Sequence, residues 1–311
     1  MTAVKPERQP GPVPSATDRP RADDEVRSYH GQAIIKEPVW TWEIPCYFFT
    51  GGLAGASAGL AYLAGVRDNP VLARRTWAVS MLGIAISPGF LISDLGRPMR
   101  FLNMLRMFKV TSPMSVGSWV LSGSGATTSI AAAHAWLGIF PRAARLADPA
   151  AALLGLPLCT YTAALIANTA VPVWHEARLE LPLVFASGAA LSAGAAATIA
   201  TPVAHAAAAR RLALGAAAVE VGTKRLMKTR LGEQGEPYGE GAPRRFTQAM
   251  HVCTAVGGAL LAWRGARSRA AAAAGGTLLL TAAFCARWST FKAGFASVAD
   301  PKYVVLSQRR G

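Results

Sequence analysis

Ile44-Pro45-Cys46-Tyr47-Phe48-Phe49-Thr50-Gly51-Gly52-Leu53-Ala54-Gly55-Ala56-Ser57-Ala58-Gly59-Leu60-Ala61-Tyr62-Leu63-Ala64-Gly65-Val66 contains no charged residue. A bilayer core of about 30 Å takes about 20 helical residues, so this stretch is long enough to span one. Trp40, Trp42 and Glu43 precede it, and tryptophan favours the membrane–water interface. Pro45 falls in the first turn, where its missing N–H costs little. Further uncharged blocks follow outward from it. A second span is expected at about Thr76–Ser93, bounded by Arg74-Arg75 and Asp94, a third within Val110–Pro141 and a fourth within Pro149–Val173. A fifth runs from Leu181 to about Ala209, a seventh is about Phe246–Trp263, and an eighth is about Ala270–Ala286, stopped by Arg287. The sixth is weak: Leu212–Val219 is apolar but short, and Glu220, Lys224 and Arg225 follow, as in an amphipathic surface helix.

Composition agrees. Of 311 residues 52% are hydrophobic and only 16% charged, against about 25% in ordinary soluble domains. Mean hydropathy is +0.28 although both ends are polar. The expected class is therefore all-α and polytopic, with a polar tail over 1–42, a transmembrane helical domain over 43–290 and a polar tail over 291–311. The net charge of +15 sits between apolar blocks and at the ends. That is how membrane proteins anchor loops at anionic lipid, and it argues against nucleic acid as a partner. The connections alone barely distinguish the two sides; the basic tails favour both termini in the cytoplasm. Cys46, Cys159, Cys253 and Cys285 are far apart with no CxxC pair, which excludes a zinc knuckle or ferredoxin-type cluster made by this chain alone. There is no Walker A, HExxH or strand-borne GxGxxG sequence.

Ionisable residues at a membrane edge are expensive and are functional candidates by default. Asp94 ends the second span in Ser93-Asp94-Leu95-Gly96-Arg97-Pro98. Gly96 and Pro98 break the helix there, so Asp94 can pair with Arg97 across the turn or exchange protons at the membrane edge. Glu43 can favour a helix N-terminus or bind a polar head group. Trp174-His175-Glu176-Ala177-Arg178-Leu179-Glu180 is a short, densely ionisable connection. Gly51, Gly55 and Gly59 recur every four residues on one helix face, which suits close helix packing or a flat ligand tail. Two histidines on facing helices can ligate a b-type haem. With eight spans, His134 and His251 are placed on one side, so a haem subunit is one alternative. A small-molecule or ion transporter is another, although no inverted repeat is visible.

Trp40–Gly55 resembles the first helix of the NrfD/PsrC family, the membrane subunits of polysulfide reductase-like complexes. Asp94-Leu95-Gly96-Arg97-Pro98, with Arg100-Phe101-Leu102-Asn103, is similar to that family's turn after its second helix, and Asp300-Pro301-Lys302-Tyr303 to the ending of some members. The resemblance spans about residues 29–306. It implies eight helices in two four-helix bundles, with no haem and no metal held by this chain. It further implies a quinone-interacting anchor that passes electrons between an iron–sulfur partner subunit and the quinone pool, menaquinone being expected, in anaerobic respiration. A molybdopterin catalytic subunit would complete the complex. By the same resemblance Glu43 and Tyr47 line the quinone head group and Tyr161 hydrogen-bonds it. Glu43 and Asp94 relay protons, and Gly96, Arg97 and Pro98 shape the turn.

Overall fold

The computed structural model describes residues 34–97 and 99–308; Pro98 and most of the expected N-terminal tail lie outside the described residues. Every regular element among the described residues is helical. The first two helices are α1 (Glu43–Val66) and α2 (Pro70–Asp94). A short α3 (Met99–Leu105) leads to α4 (Pro113–Leu137) and α5 (Pro141–Ala167). A one-turn α6 (Pro172–Glu176) precedes α7 (Leu181–Ala200) and α8 (Ala207–Leu231). After a 3₁₀ segment, Gly232–Gly239, come α9 (Gly241–Trp263), α10 (Arg269–Ala299) and α11 (Pro301–Gln308). Five of them, α1, α2, α5, α7 and α10, are long and apolar enough to cross a membrane.

Local chemistry sets the helix starts. Pro70, Pro113 and Pro141 each sit in the first turn, where φ is already helical and no intrahelical N–H bond is lost. The side chains of Asn69, Ser112 and Ser268 accept from the N–H of Leu72, Ser115 and Ala271, capping α2, α4 and α10. Gly138 closes α4 at φ 71°, in the left-handed region that suits glycine. Gly96, at φ 69°, turns the chain after α2 for the same reason, as the turn reading requires.

Helix α1 packs against α2, α5, α7 and α10 and so lies at the centre. Two glycines bring α1 and α5 into contact. A Cβ at Gly55 would lie 2.5 Å from the Gly155 carbonyl oxygen, and one at Gly155 would strike the Gly55 carbonyl in return. Helix backbones approach this closely only where side chains are small. Gly59 has open space beyond its Cα. With Gly55, Leu156 and Leu212 it lines an apolar cleft of about 510 Å³. The repeated glycines thus serve packing at one position and leave room at another.

Several expected boundaries move, three of them for reasons visible in the packing or the chain. The fifth span stops at Ala200 rather than Ala209, because Pro202 disfavours helix in the residue before it. The short apolar stretch expected at Leu212–Val219 lies inside a 25-residue helix, Ala207–Leu231, so its polar residues are helical too. The eighth element does not stop at Arg287 but runs to Ala299. Arg287 is 2% exposed there; its Nη2 donates to the Phe185 carbonyl at 2.6 Å, and its guanidinium lies 4.1 Å from the Phe185 ring centre. A charge with those partners can stay inside a helical body.

Candidate functional site

The start of α1 meets the end of α2. The Thr41 backbone N–H donates to Asp94 Oδ1 at 3.2 Å, and the Thr41 hydroxyl lies 3.0 Å from the same oxygen. That hydroxyl also contacts Glu43 Oε2. Thr41 therefore bridges the two carboxylates that the sequence singled out. Asp94 does not pair with Arg97 in an ion pair among the described residues. The sequence could not see this, because Thr41 and Asp94 are 53 residues apart.

A hydroxyl has one hydrogen to donate. With a carboxylate oxygen on either side, Thr41 Oγ1 can donate to only one of them at a time. Glu43 is buried and Asp94 half-buried.

One turn further along α1, on the same face as Glu43, lies Tyr47. Tyr47 is 1% exposed, and its hydroxyl has no hydrogen-bond partner among the described residues. A buried hydroxyl without a partner is costly and marks a place for a ligand or water. The Tyr47 and Tyr161 rings meet edge to face, with centroids 6.3 Å apart. Tyr161 fits because Gly117 on α4 has no side chain: a Cβ there would fall on the Tyr161 ring. Glu43, Tyr47, Asp94 and Tyr161 thus gather at the end of the molecule where α1 begins, whereas Gly96 and Arg97 lie exposed on the turn beyond. Pro98 lies outside the described residues.

The ionisable connection after α5 is more structural than its composition suggests. Trp174 is fully buried, donates its indole N–H to the Thr290 carbonyl at 2.8 Å and stacks on Trp40 with centroids 5.8 Å apart. Through it the segment before α1 is pinned to α10. Glu180 is held by Arg230 near the end of α8, with Arg230 Nη2 2.6 Å from Glu180 Oε2. Glu176 Oε1 accepts from the Ser307 hydroxyl at 2.7 Å. Arg230, Trp40 and Ser307 are partners that spacing alone did not identify.

The paired haem ligands are corrected. His134 stands near the end of α4, beside Tyr62 and Asp68 at the far end of α1. His251 stands midway along α9, one turn after Thr247, which meets Ser289 beside the Thr290 carbonyl that Trp174 bonds. The two therefore lie at different depths, His134 in the last turn of α4 and His251 at mid-helix. Among the long helices α4 is third and α9 seventh, so both run in the direction of α1 and the end of one does not face the start of the other. His134 Nδ1 instead meets the Ile139 carbonyl oxygen at 3.2 Å. No group of three or more His, Cys, Asp or Glu side chains placed to hold a metal occurs among the described residues.

Long apolar helices with a small polar cluster where α1 begins define an all-helical membrane protein. The family model described as polysulphide reductase, NrfD, matches residues 30–216, more than half of the chain. The protein belongs to the NrfD family, as the first-helix and Asp94–Pro98 patterns indicate. Membership suggests a membrane subunit of quinone-linked oxidoreductases. Among curated proteins, none matches the chain.

Proposed function

We propose that this chain is the quinone-interacting membrane anchor of a multi-subunit oxidoreductase, passing electrons between an iron–sulfur partner and the menaquinone pool. In this reading a molybdopterin subunit carries the terminal chemistry, and the chain itself holds neither haem nor metal. Eight spans form two four-helix bundles, α1, α2, α4 and α5 in one and α7 to α10 in the other. The contacts α1–α2, α2–α4, α4–α5 and α5–α1 support the first, and α7–α8, α8–α9, α9–α10 and α10–α7 the second. The embedded body is 43–290 within a cell membrane, and both termini face the cytoplasm. Helix α10, at 31 residues, is about 46 Å long and outruns a ~30 Å core, so its last turns project with the tail 291–311.

The observation that carries this reading is the Thr41 hydroxyl set between Glu43 and Asp94, one helical turn from the unpartnered Tyr47 hydroxyl. A quinone supplies two-electron chemistry that consumes or releases two protons. The residues present fit such a group. Tyr47 and Tyr161 offer hydroxyl donors against an aromatic wall, and Glu43 stands beside them with a carboxylate. Glu43 Oε2 and Asp94 Oδ1 hold a proton through Thr41 Oγ1 and pass it between the buried and the half-buried carboxyl. The surrounding apolar side chains, Phe48 and Phe90 among them, keep bulk water from that path.

Purification from native membranes tests the proposal: an iron–sulfur subunit and bound quinone should come with the chain. A chain that purifies alone, without redox partner or quinone, overturns it. Asp94→Asn should lower quinone-linked turnover by roughly 10²-fold, the low end for loss of a positioned proton-transfer group, with assembly intact. Failure of that variant to accumulate would instead make Asp94 a turn-forming residue only.

A further inference from the structure

A second polar centre lies away from the first, between α7, α8 and α10. Glu220 and Arg287 are each 2% exposed. Gly188 on α7 makes room for both: a Cβ there would lie 2.8 Å from Glu220 Oε1 and 3.1 Å from Arg287 Nη2. The two side chains therefore reach over the same bare glycine. They form no ion pair within 4.0 Å among the described residues. Glu220 Oε1 and Arg287 Nη1 both lack a hydrogen-bond partner there. One is an acceptor and the other a donor, so a water that donates to one and accepts from the other completes both.

A third member stands one turn along. Lys224 Nζ donates to the Met250 sulfur at 3.0 Å, a weak acceptor for an ammonium. Glu220, Lys224 and Lys228 follow at four-residue spacing on one face of α8. Glu220 is buried, Lys224 half-buried and Lys228 exposed. The row thus climbs from the interior to the surface at the end of α8, where Arg230 and Glu180 meet. Cys159 on α5, His251 and Cys253 on α9, Cys285 on α10 and Arg225 on α8 are the other titratable side chains nearby. Helices α1 and α7 face the centre with Gly52, Phe185 and Gly188.

We propose that Glu220, Lys224 and Arg287 form a second proton-exchange centre, separate from the Thr41–Glu43–Asp94 site, whose ligand is a proton carried on water. Two cations with one carboxylate and unspent hydrogen-bonding capacity are a poor structural brace. A brace is best made by a direct pair, and an unpaired charge buried among helices is strongly destabilising. Such groups inside membrane bundles mark ion or proton routes. In the exchange step an N–H bond of the Lys224 ammonium breaks and an O–H bond forms on Glu220. The product is an amine beside a carboxylic acid, with total charge unchanged. Lys224 regains its proton from the surface along the Lys228 face. Arg287 keeps its charge throughout and holds the hydrated carboxyl in place.

Infrared difference spectra of the full chain in lipid nanodiscs, taken across a pH change, test this without partner or quinone. A failed electron-transfer reading and a failed proton centre are therefore distinguishable. The wild type should show a protonated-carboxyl C=O band that shifts in D₂O. In a background that carries Glu43→Gln and Asp94→Asn, and so lacks the other carboxyl cluster, the band should remain and Glu220→Gln should abolish it. Glu220→Asp should move the band rather than remove it, and Lys224→Met should displace its midpoint. A band that survives Glu220→Gln in that background, a band there that never exchanges with D₂O, or no titrating carboxyl band there at all would overturn the proposal. If Glu220→Gln does not fold, an unmoved band in Glu220→Asp does the same.

Discussion

Thr41→Val removes one hydroxyl and changes the side-chain shape hardly at all. In the wild type that hydroxyl lies 3.0 Å from Asp94 Oδ1 and also contacts Glu43 Oε2. The variant keeps the backbone N–H bond to Asp94, at 3.2 Å, so the turn retains one of its ties. Loss of a hydrogen bond to a charged acceptor costs about 1.5–3 kcal/mol, and Asp94 is half-buried, so the low end applies. A purely structural role then predicts a stability loss of about 1.5 kcal/mol and little change in turnover at a temperature where the chain is folded. A relay role predicts more. The two carboxylates would lose the atom that connects them, and quinol-linked turnover should fall by about 10²-fold, within the range for positioned proton transfer. The assay is oxidation of a menaquinol analogue by native membranes, normalised to the amount of chain, with thermal unfolding followed in parallel. Thr41→Ser restores the hydroxyl and should restore turnover to within about threefold, since less than 1 kcal/mol would then separate it from the wild type. Turnover in Thr41→Val within about threefold of wild type, or a Thr41→Ser variant as slow as Thr41→Val, would refute the bridge as part of a proton path.

Gly117→Ala places a Cβ on the Tyr161 ring, and overpacking of this kind costs about 1–3 kcal/mol. Tyr161 must turn away from Tyr47, so quinone affinity, measured by fluorescence quenching in nanodiscs, should fall together with melting temperature; unchanged affinity would remove Tyr161 from the site. The C-terminal contact is set by pH. The Lys302 ammonium, 2.7 Å from Glu236 Oε2, holds that carboxyl below its ordinary 4.5, and Glu236 in turn raises Lys302 above 10.5. Stabilisation by Glu236 is complete above 4.5 and is lost as pH falls through its lowered value. Stabilisation by Lys302 is complete below 10.5 and is lost as pH rises through its raised value. Protection of α11 amides, taken relative to their intrinsic exchange rate at each pH, should accordingly be greatest between those limits and lower on both flanks, and Lys302→Ala should flatten the profile. The Gln234 amide bond to the Tyr303 carbonyl, at 2.9 Å, should keep α11 partly docked throughout.

The apolar blocks made the spanning helices legible because lipid imposes a length and forbids charge, both of which are local properties. Glu43–Val66 was readable almost to the residue for that reason. Hydropathy reports where a helix meets lipid, however, and not where a helix ends. Arg142, Arg145 and Asp148 hid the first two turns of α5, and Glu220 and Lys224 hid the second half of α8. Arg287 looked like a stop because its partners, the Phe185 carbonyl and ring, are 102 residues away. Glu43 and Asp94 stood out by residue type and position, whereas Tyr47 and Tyr161 entered only through the family resemblance. What joins them did not stand out: Thr41 carries no charge and no motif, and Gly117 matters only through the ring that fills its missing side chain.

Helix α1 bears on both polar centres. Its start supplies Glu43 and Tyr47 to one, and Gly52, seven residues after Pro45 in the same helix, packs against Ala189 and faces Arg287 Nη2 at 3.7 Å from where a Cβ would lie. Phe48, adjacent to Tyr47, meets Phe185 edge to face at 5.5 Å, and Phe185 is the residue whose carbonyl and ring hold Arg287. The route from Tyr47 to Arg287 is therefore two aromatic residues long and fully packed. Close-packed interiors transmit displacement instead of absorbing it. A ligand that shifts Tyr47 moves Phe48 against Phe185 and so moves the hydrogen bond that fixes Arg287. Phe48→Ala opens that path by removing the ring between the two. If the centres act together, this variant should leave the Glu220 carboxyl band in place but make it indifferent to added quinone. A band that responds to quinone as strongly as in the wild type would show that the two centres work independently.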